Sequence, residues 1–336
     1  MSNSLTSDRK KDHIELALKS NIIEQDNRFY YEPILQGHPS PEDTYTGIKI
    51  GNKITKSPLW VSSMTGGTAM AGHINKNLAR ACKEFGMGMG LGSCRIILEE
   101  DTYFKDFDLR DTIGDDLPFY ANLGVAQVEK LLVNKKESQI TDLVHKLRAD
   151  GLIIHVNPLQ EYLQPEGDRF KYSPLETIKC LLEKVDFPII VKEVGQGMGP
   201  SSLRALMDLP LAAIDFGASG GTNFAKLELL RTEENKAKED EGLSVIGHSA
   251  EEMVNFVNDI LKDGNDPKCN TFIISGGLKS YLDGYYHTKR LQAPAIYAMA
   301  SKFLNHSMGD YEELQRFTEQ QLKGFALANK ILIPKK

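Results

Sequence analysis

The chain has 336 residues, of which 41% are hydrophobic and 26% are charged, and its formal net charge is -6. This length can bury one large core, and α/β barrels often use such a length as a single domain. The acidic balance excludes the strongly basic surface of a nucleic-acid-binding protein, although a few local Lys and Arg residues can still bind an anionic substrate.

Cysteine spacing and hydropathy indicate the compartment. The four cysteines form no CxxC pair, so they predict neither a zinc site nor a redox dithiol. The N-terminus has no apolar core of a signal peptide, and no apolar run approaches the ~20 residues of a membrane span. We therefore expect a cytoplasmic protein without a membrane partner.

The first fifty residues are predicted to form an N-terminal extension, with a barrel over 51–336. In "DRKKDHIELAL" (8–18), the side chains of Arg9, Lys10 and His13 lie one helical turn apart. This is the arrangement of an anion clamp, and the alternative is an ordinary basic tail. We expect the extension to contribute to a substrate site.

Eight short apolar runs then alternate with helical patterns. In chain order the runs are "LWVSSM" (59–64), "GMGMGLGS" (86–93), "PFYANLGV" (118–125), "GLIIHVN" (151–157), "PIIVKEVG" (188–195), "AAIDFGA" (212–218), "TFIISGG" (271–277) and "AIYAMA" (295–300). Alternation of this kind predicts a parallel sheet, and eight units predict a closed (β/α)₈ TIM barrel. The alternative is an open doubly wound sheet. We favour the barrel because nearly every run ends in polar or glycine residues, as a shared active-site rim requires.

The fourth run leads directly into a dense polar cluster. His155, Asn157, Gln160 and Glu161 follow "GLII" within a few residues. Catalytic groups of such barrels lie at the carboxyl ends of the strands. The group therefore predicts an active site, although any one of these residues could belong to an ordinary polar loop.

Other strand ends carry further candidates. Ser63 lies in "SSMTGG", Ser93 and Arg95 lie in "GSCR", and Asn122 lies in "ANLG". Lys192 lies inside an apolar strand, where a charge is unfavourable without a partner, so we interpret it as functional.

The glycine-rich stretches after the sixth and seventh runs predict a phosphate site. Thr222, Gly276 and Gly277 lie where many barrels bind phosphate on backbone N–H groups. Cys94 beside Arg95 could be a nucleophile. We prefer a structural role for Cys94, because no partner histidine is evident nearby.

Taken together, these motifs resemble type II isopentenyl diphosphate isomerase, the flavin-dependent family. The similar stretches occur in the family's order, from about residue 9 to 304, and are "RKKDHI", "MTGG", "INKNLA", "GSCR", "NLGVAQ", "HVNPLQE", "VKEVGQG", "GGTNF" and "SGG". The resemblance implies a (β/α)₈ barrel that interconverts isopentenyl diphosphate and dimethylallyl diphosphate. It also implies reduced FMN, Mg²⁺, NADPH as reductant, and a homo-oligomer, tetrameric or octameric.

The resemblance assigns roles to the candidates. Gln160 would be the catalytic residue and Glu161 the metal ligand. Substrate contacts would come from Arg9, Lys10, His13, Ser93, Arg95, His155, Asn157 and Gln160. FMN contacts would come from Ser63, Met64, Thr65, Ser93, Asn122, Lys192, Thr222, Gly276, Gly277, Met299 and Ala300.

The chain departs from the family at four places. Cys94 stands where the family commonly has Gln, and Gly217 where it commonly has Ser. The stretch 244–253 lacks the family's usual pattern, and the region 281–294 is slightly longer than typical.

Two other classes of function are open. One is an FMN-dependent oxidoreductase on the same barrel, of the 2-hydroxy-acid oxidase or IMP-dehydrogenase type. The other is a flavin-storing or regulatory protein without catalysis. The Gln160–Glu161 pair and the basic N-terminal residues argue against the second class, because flavin binding alone needs neither.

Overall fold

A computed structural model describes residues 16–17, 19–20, 24–40, 43, 45–63, 69–231, 239–264 and 266–335. Five predicted site residues lie outside the described residues: Arg9, Lys10, His13, Met64 and Thr65. The other predicted site residues all lie within them.

The described strands and helices alternate along the chain. The strands are β1 (Phe29–Tyr31), β2 (Lys49–Ile50), β3 (Lys53–Ile54), β4 (Leu59–Val61), β5 (Gly88–Gly90), β6 (Phe119–Gly124), β7 (Gly151–Val156), β8 (Ile189–Glu193), β9 (Ala213–Asp215), β10 (Phe272–Ser275), β11 (Ala295–Ala298) and β12 (Leu332–Pro334). The helices are α1 (Ala69–Phe85), α2 (Ile96–Glu99), α3 (Arg110–Ile113), α4 (Val125–Val133), α5 (Ser138–Lys146), α6 (Pro158–Leu163), α7 (Pro174–Leu182), α8 (Pro200–Met207), α9 (Phe224–Arg231), α10 (Ala250–Lys262), α11 (Tyr281–Arg290), α12 (Ala300–Ser307) and α13 (Tyr311–Ile331). Two short 3₁₀ turns lie at Phe104–Asp106 and Glu241–Val245.

Strands β4 to β11 close into one parallel barrel. Their order is β10-β11-β4-β5-β6-β7-β8-β9, and each strand pairs in parallel with its neighbours. The prediction of a (β/α)₈ barrel is therefore confirmed, and the open doubly wound sheet is excluded. All eight predicted runs contain a barrel strand, but the strands are shorter than the runs.

Local sequence explains several helix starts around the barrel. Ser173, Ser249 and Ser280 each form a capping box with the acidic residue three positions later. Such boxes satisfy N–H groups that the first turn of a helix leaves without partners. Pro158 and Pro200 stand in the first turns of α6 and α8, where a missing N–H does no harm.

The barrel interior has an apolar layer at its amino end. This lower layer consists of Ile50, Trp60, Tyr120, Ile153, Ile190, Ala213, Ile273 and Ile296. The β2–β3 hairpin closes that end of the barrel, since Ile50 packs within the same cluster. Because side chains alternate along a strand, the residues two positions later also face the interior.

The two ends of the described chain meet outside the barrel. Strand β1 pairs antiparallel with β12, so that Tyr30 lies opposite Ile333. Aromatic contacts of Phe29 with Tyr285 and Tyr286 fix this small sheet against α11. No helix in the described ranges is long and apolar enough to cross a membrane.

Candidate active site

A layer of polar side chains lies above the lower layer, at the carboxyl ends of the strands. This rim layer consists of the polar residues that lie two positions after barrel-strand residues of the lower layer: Ser62, Asn122, His155, Lys192, Asp215 and Ser275. The corresponding residue of β11 is the apolar Ala298. In the strand register, Lys192 lies opposite His155 on one side and Asp215 on the other. The barrel therefore brings polar groups from distant parts of the sequence to one level.

Three side chains of the rim form a hydrogen-bonded chain. The amide nitrogen of Asn122 donates to the Ser63 hydroxyl at 2.8 Å and to the Leu91 carbonyl at 2.9 Å. Its amide oxygen is 2.8 Å from Nδ1 of His155. This oxygen can only accept, so Nδ1 carries the proton of the neutral ring and Nε2 keeps its lone pair.

His155 is neutral near pH 7. Burial, together with the positive charge of Lys192, lowers the pKa of His155 to about 4. This histidine is a predicted diphosphate contact, but its neutral ring does not supply a permanent positive charge there.

Lys192 and Glu193 belong to the same strand end but have different surroundings. The Lys192 ammonium donates to the Glu193 carbonyl at 2.7 Å. One Glu193 carboxylate oxygen accepts backbone N–H groups of Gly195, Gln196 and Gly197 at 2.6 to 2.9 Å. Burial raises the pKa of Glu193, and these donors oppose the rise. Glu193 thus shapes the loop after β8 and leaves Lys192 as the basic group in the rim layer.

Helix α6 presents the polar cluster after β7. The Asn157 amide nitrogen donates to Gln160 Oε1 at 3.1 Å and to Glu161 Oε1 at 3.0 Å. Gln160 Nε2 donates to Glu228 Oε1 at 3.1 Å. The orientation of the Gln160 amide is therefore fixed from both of its ends.

Glu228 was not among the site residues predicted from the sequence. This carboxylate lies in α9, is only 3% exposed, and has Arg231 at 3.5 Å from its second oxygen. It lies in the stretch "FAKLELLR", where one acidic residue among apolar and basic ones resembles any amphipathic helix. A buried carboxylate in contact with the predicted catalytic amide is a candidate for the same proton transfer.

The oxygen atoms around Glu161 suit a hard cation. Glu161 Oε2 accepts the Asp168 N–H at 2.7 Å, and the Asn157 amide oxygen is buried without a hydrogen-bond partner among the described residues. No group of three or more acidic, His or Cys side chains is clustered there in the described ranges. Mg²⁺ commonly uses one or two carboxylates together with waters and substrate phosphate, so Glu161 with the free Asn157 oxygen fits that ion.

The loop after β5 brings a cation to this cluster. Ser93 and Arg95 are exposed, and Arg95 lies 3.5 Å from the Asp168 carboxylate. Gln127 also bonds to Asp168, at 3.2 Å. Cys94, which lies between Ser93 and Arg95 in the chain, is fully buried, and burial raises the pKa of its thiol to about 12. A buried thiol that is not ionised near pH 7 is a poor nucleophile, which supports the structural interpretation.

The glycine loops after β9 and β10 touch through their backbones. A Cβ on Gly276, whose φ is +90°, would lie 1.9 Å from the Ala218 carbonyl, and one on Gly220 would lie 3.1 Å from Gly277 Cα. An open cavity of about 570 Å³ borders Gly220, Gly276 and Gly277. Glycines in this conformation expose backbone N–H groups to a phosphate. Thr222 lies exposed near this junction, whereas Met299 and the exposed Ala300 lie at the start of α12.

Comparison with known proteins identifies the family. Isopentenyl-diphosphate delta-isomerase of Rickettsia rickettsii (strain Sheila Smith) is 35% identical over 329 residues, which are 94% of this chain and 92% of the relative. The enzyme of the same name from Rickettsia felis is 34% identical over 308 residues, covering 90% of this chain and 85% of the relative. The chain belongs to the isopentenyl-diphosphate delta-isomerase family. The resemblance found in the motifs is thereby confirmed.

A relative from another organism gives a similar result. The isopentenyl-diphosphate delta-isomerase of Pelodictyon phaeoclathratiforme is 36% identical over 234 residues, which are 68% of this chain and 65% of that relative. No protein-family model matches the chain.

Solved structures share the barrel at low sequence identity. Flavocytochrome b2 with sulfite bound has a TM-score of 0.60 at 13% identity, covering 90% of this chain and 71% of that one. Mandelate oxidase with a monooxide FMN adduct has a TM-score of 0.58 at 13% identity, covering 90% and 84%. Identity this low establishes the shared fold alone.

Proposed function

We propose that this protein interconverts isopentenyl diphosphate and dimethylallyl diphosphate, with reduced FMN in the barrel mouth and Mg²⁺ on the diphosphate. The observation that carries the proposal is the Gln160 amide. It is held by Asn157 and Glu228 at the rim of the barrel, beside Glu161, in a chain 35% identical to named isomerases. Flavin binding alone requires none of these contacts.

The rim layer suits the polar edge of a flavin. Lys192 and the Ser63 hydroxyl, which accepts from Asn122 and keeps its own hydrogen, offer donors at the mouth of the barrel, and the glycine loops offer backbone N–H groups for the phosphate. The proposed contacts otherwise remain those of the sequence analysis, with Ser93, Thr222, Met299 and Ala300 around them. When bound in its reduced state, FMN supplies proton exchange and an electron-rich face beside the substrate.

The protein residues orient the substrate and take part in proton movement. The reaction adds a proton at the terminal methylene carbon of the double bond and removes one from the CH2 group that adjoins the double bond on its diphosphate side. An unactivated alkene is a weak base, so the proton donor must be held closely against it. A glutamine is a poor base alone, and the Glu228 carboxylate at 3.1 Å from Gln160 is the proton acceptor that it can be coupled to.

The diphosphate would lie over Asn157, Glu161 and Arg95. Glu161 with the free Asn157 oxygen would hold Mg²⁺, and the guanidinium of Arg95 would bind phosphate oxygens. His155 is a different kind of contact because its Nε2 has no proton in the neutral ring. A diphosphate oxygen at Nε2 therefore requires that the ring take up a proton as substrate binds. The proposed contacts of Arg9, Lys10 and His13 rest on the sequence alone.

The proposal has further parts that rest on the sequence alone. NADPH would reduce the flavin, the protein would be cytoplasmic, and it would form a homo-oligomer without a nucleic-acid or membrane partner. An FMN-dependent oxidoreductase is the second candidate, favoured by the shared barrel of flavocytochrome b2 and mandelate oxidase. That class transfers electrons between a substrate and an acceptor in every turnover, whereas an isomerase makes no net electron transfer.

One assay decides between these candidates. The protein is incubated anaerobically with isopentenyl diphosphate, FMN, NADPH and Mg²⁺, and dimethylallyl diphosphate is measured together with the NADPH consumed. We expect many product molecules per NADPH, and loss of product when FMN or Mg²⁺ is omitted. Product formed in proportion to NADPH, or no product at all, would refute the proposal.

A further inference from the structure

Asp215 is a fully buried carboxylate in the rim layer. It ends β9 and is 0% exposed. The Ser62 hydroxyl donates to one carboxylate oxygen at 3.3 Å, and the Ser275 hydroxyl donates to the other. In the part of the chain that the structure describes, Asp215 forms no ion pair.

The hydrogen-bond directions show what form of the side chain the site accepts. Ser275 Oγ accepts the Gly217 N–H at 2.9 Å, so its single hydroxyl hydrogen is free to be donated to Asp215. Ser62 donates to the other oxygen. An ionised carboxylate can accept at both oxygens, so this arrangement suits that form. Burial of such a charge is unfavourable unless an opposite charge lies close by.

Lys192 carries a positive charge at the same level of the barrel. It lies opposite Asp215 in the β8–β9 register, and both side chains face the barrel interior at the same level. Neighbouring strands are separated by roughly 4.8 Å, and the interior screens charges less than water does. The Lys192 ammonium is bonded to the Glu193 carbonyl rather than to the Asp215 carboxylate.

We propose that Asp215 is a positioning residue whose negative charge offsets Lys192 and so sets how strongly the barrel mouth favours reduced flavin. The inference rests on the proposed function, because it requires FMN above the rim layer. Reduction adds negative charge to the flavin, and Lys192 stabilises this charge. Asp215 limits that stabilisation, so the reduced flavin remains able to give up a proton and its electron density.

A purely structural role makes a different prediction. Asp215 connects β4 and β10 through Ser62 and Ser275, and loss of either hydroxyl weakens this connection without changing the charge. If the connection alone matters, Ser275→Ala and Asp215→Asn will have similar effects. If the charge matters, only the aspartate variant will change the flavin equilibrium strongly.

The test measures oxidised and reduced FMN on the intact protein in anaerobic equilibrium with a reference dye. For Asp215→Asn we expect the ratio of reduced to oxidised flavin to rise about tenfold, which is about 30 mV for a two-electron couple. Ser62→Ala and Ser275→Ala are expected to change the ratio less than about threefold, because they keep the charge. Asp111→Asn removes the same charge from a side chain that is 84% exposed, and it should change nothing.

Each outcome bears on one claim. If the parent protein binds no FMN, the proposed function fails before the inference is tested. If the parent binds FMN and Asp215→Asn has the parent ratio, or Ser275→Ala shifts it equally, the inference is overturned. Asp215→Ser makes the same charge change with a smaller side chain. If both aspartate variants lose FMN, Asp215 is required to hold the flavin rather than to set its redox equilibrium, and the inference is likewise overturned.

Discussion

The two layers inside the barrel are built on the same strands, two residues apart, and they differ in almost every physical respect. The lower layer consists mainly of Ile side chains with Trp60 and Tyr120, whose rings contact edge to face at 6.1 Å. The rim layer consists of Ser, Asn, His, Lys and Asp side chains, most of them hydrogen-bonded. One strand can therefore contribute to stability through one residue and to the active site through the next inward-facing residue.

The two layers also differ in whether their buried polar atoms have hydrogen-bond partners. In the lower layer, Trp60 Nε1 and the Tyr120 hydroxyl are buried without hydrogen-bond partners among the described residues, and burial raises the pKa of Tyr120 beyond its usual range. In the rim layer, Asn122 makes contacts through both ends of its amide. The lower layer uses its aromatic residues for their volume, whereas the rim layer uses its polar groups for their orientation.

The largest effect is expected from a substitution in the candidate active site. Gln160→Ala should lower the isomerisation rate about 10²- to 10⁴-fold, because it removes the amide that links the substrate site to Glu228. The melting temperature should change little, since Gln160 lies outside the core clusters. The measurements are single-turnover rates of the FMN-loaded protein and thermal unfolding.

Gln164→Ala is the matched control for that variant. Gln164 follows one helical turn later and bonds to Glu166 at 2.9 Å instead of Glu228. It should retain the parent rate. A Gln160→Ala protein that turns over like the parent would show that the proton path does not use this amide.

The second-largest effect is expected from a substitution in the lower layer. Ile153→Ala should lower the free energy of unfolding by about 2–5 kcal/mol, because it leaves a cavity in a layer that cannot collapse easily. Gly90 lies directly above this side chain, since a Cβ there would be 2.4 Å from Ile153 Cδ1. Urea unfolding measures the change, and the molecules that remain folded should turn over near the parent rate.

An exposed isoleucine provides the comparison for Ile153. Ile333 in β12 is 50% exposed, so Ile333→Ala should lower the free energy of unfolding by well under about 1 kcal/mol. Equal losses in the two variants would contradict the claim that the lower layer carries the stability of the barrel.

The barrel was predictable from the sequence, whereas the two small sheets were not. Each barrel strand is a continuous apolar run, because both of its faces are covered, and this signal is local. The pairing of Phe29–Tyr31 with Leu332–Pro334 joins strands at opposite ends of the chain. Three-residue strands carry no periodic pattern of their own, so only the folded chain reveals this pairing.

The site was predictable where polar residues interrupt an apolar run, although only one of two such charged residues was identified in this way. Lys192 was singled out because a charge inside "PIIVKEVG" requires a reason. Asp215 inside "AAIDFGA" gives the same signal, and its partners Ser62 and Ser275 stand at other strand ends. Glu228 had no such signal, because an acidic residue in a surface-like helix is ordinary until α9 is seen to pack on α6.

A smaller effect is expected from acid. Burial lowers the pKa of His287 to about 4 from an ordinary 6.5, and the side chain is 8% exposed with Nδ1 unpartnered among the described residues. The unfolded chain therefore binds more protons than the folded chain between those two pH values. Stability contributed by the neutral ring is complete above about pH 6.5 and is lost as the pH falls toward 4, by about 3 kcal/mol.

Substitution of the histidine checks this slope. His287→Gln should flatten the fall in unfolding free energy between about pH 7 and about pH 5. His38→Gln, at an exposed position, should leave the slope as it is. His155 has its pKa lowered to about 4 as well, so some slope should persist in the His287 variant. An unchanged slope in His287→Gln would show that this ring does not titrate with unfolding.

The smallest effect is expected at Cys94, which lies between the exposed Ser93 and Arg95 but is buried in the core. Its thiol is fully buried, donates to the Gly92 carbonyl at 3.4 Å, and has its pKa raised to about 12 by burial. Serine has nearly the same shape and can donate to the same carbonyl, so Cys94→Ser should change turnover by less than about threefold and lower the free energy of unfolding by about 1 kcal/mol. Turnover and flavin content are measured on the same preparation. Near-complete loss of turnover in a variant that still holds FMN would mean that the thiol takes part in the chemistry.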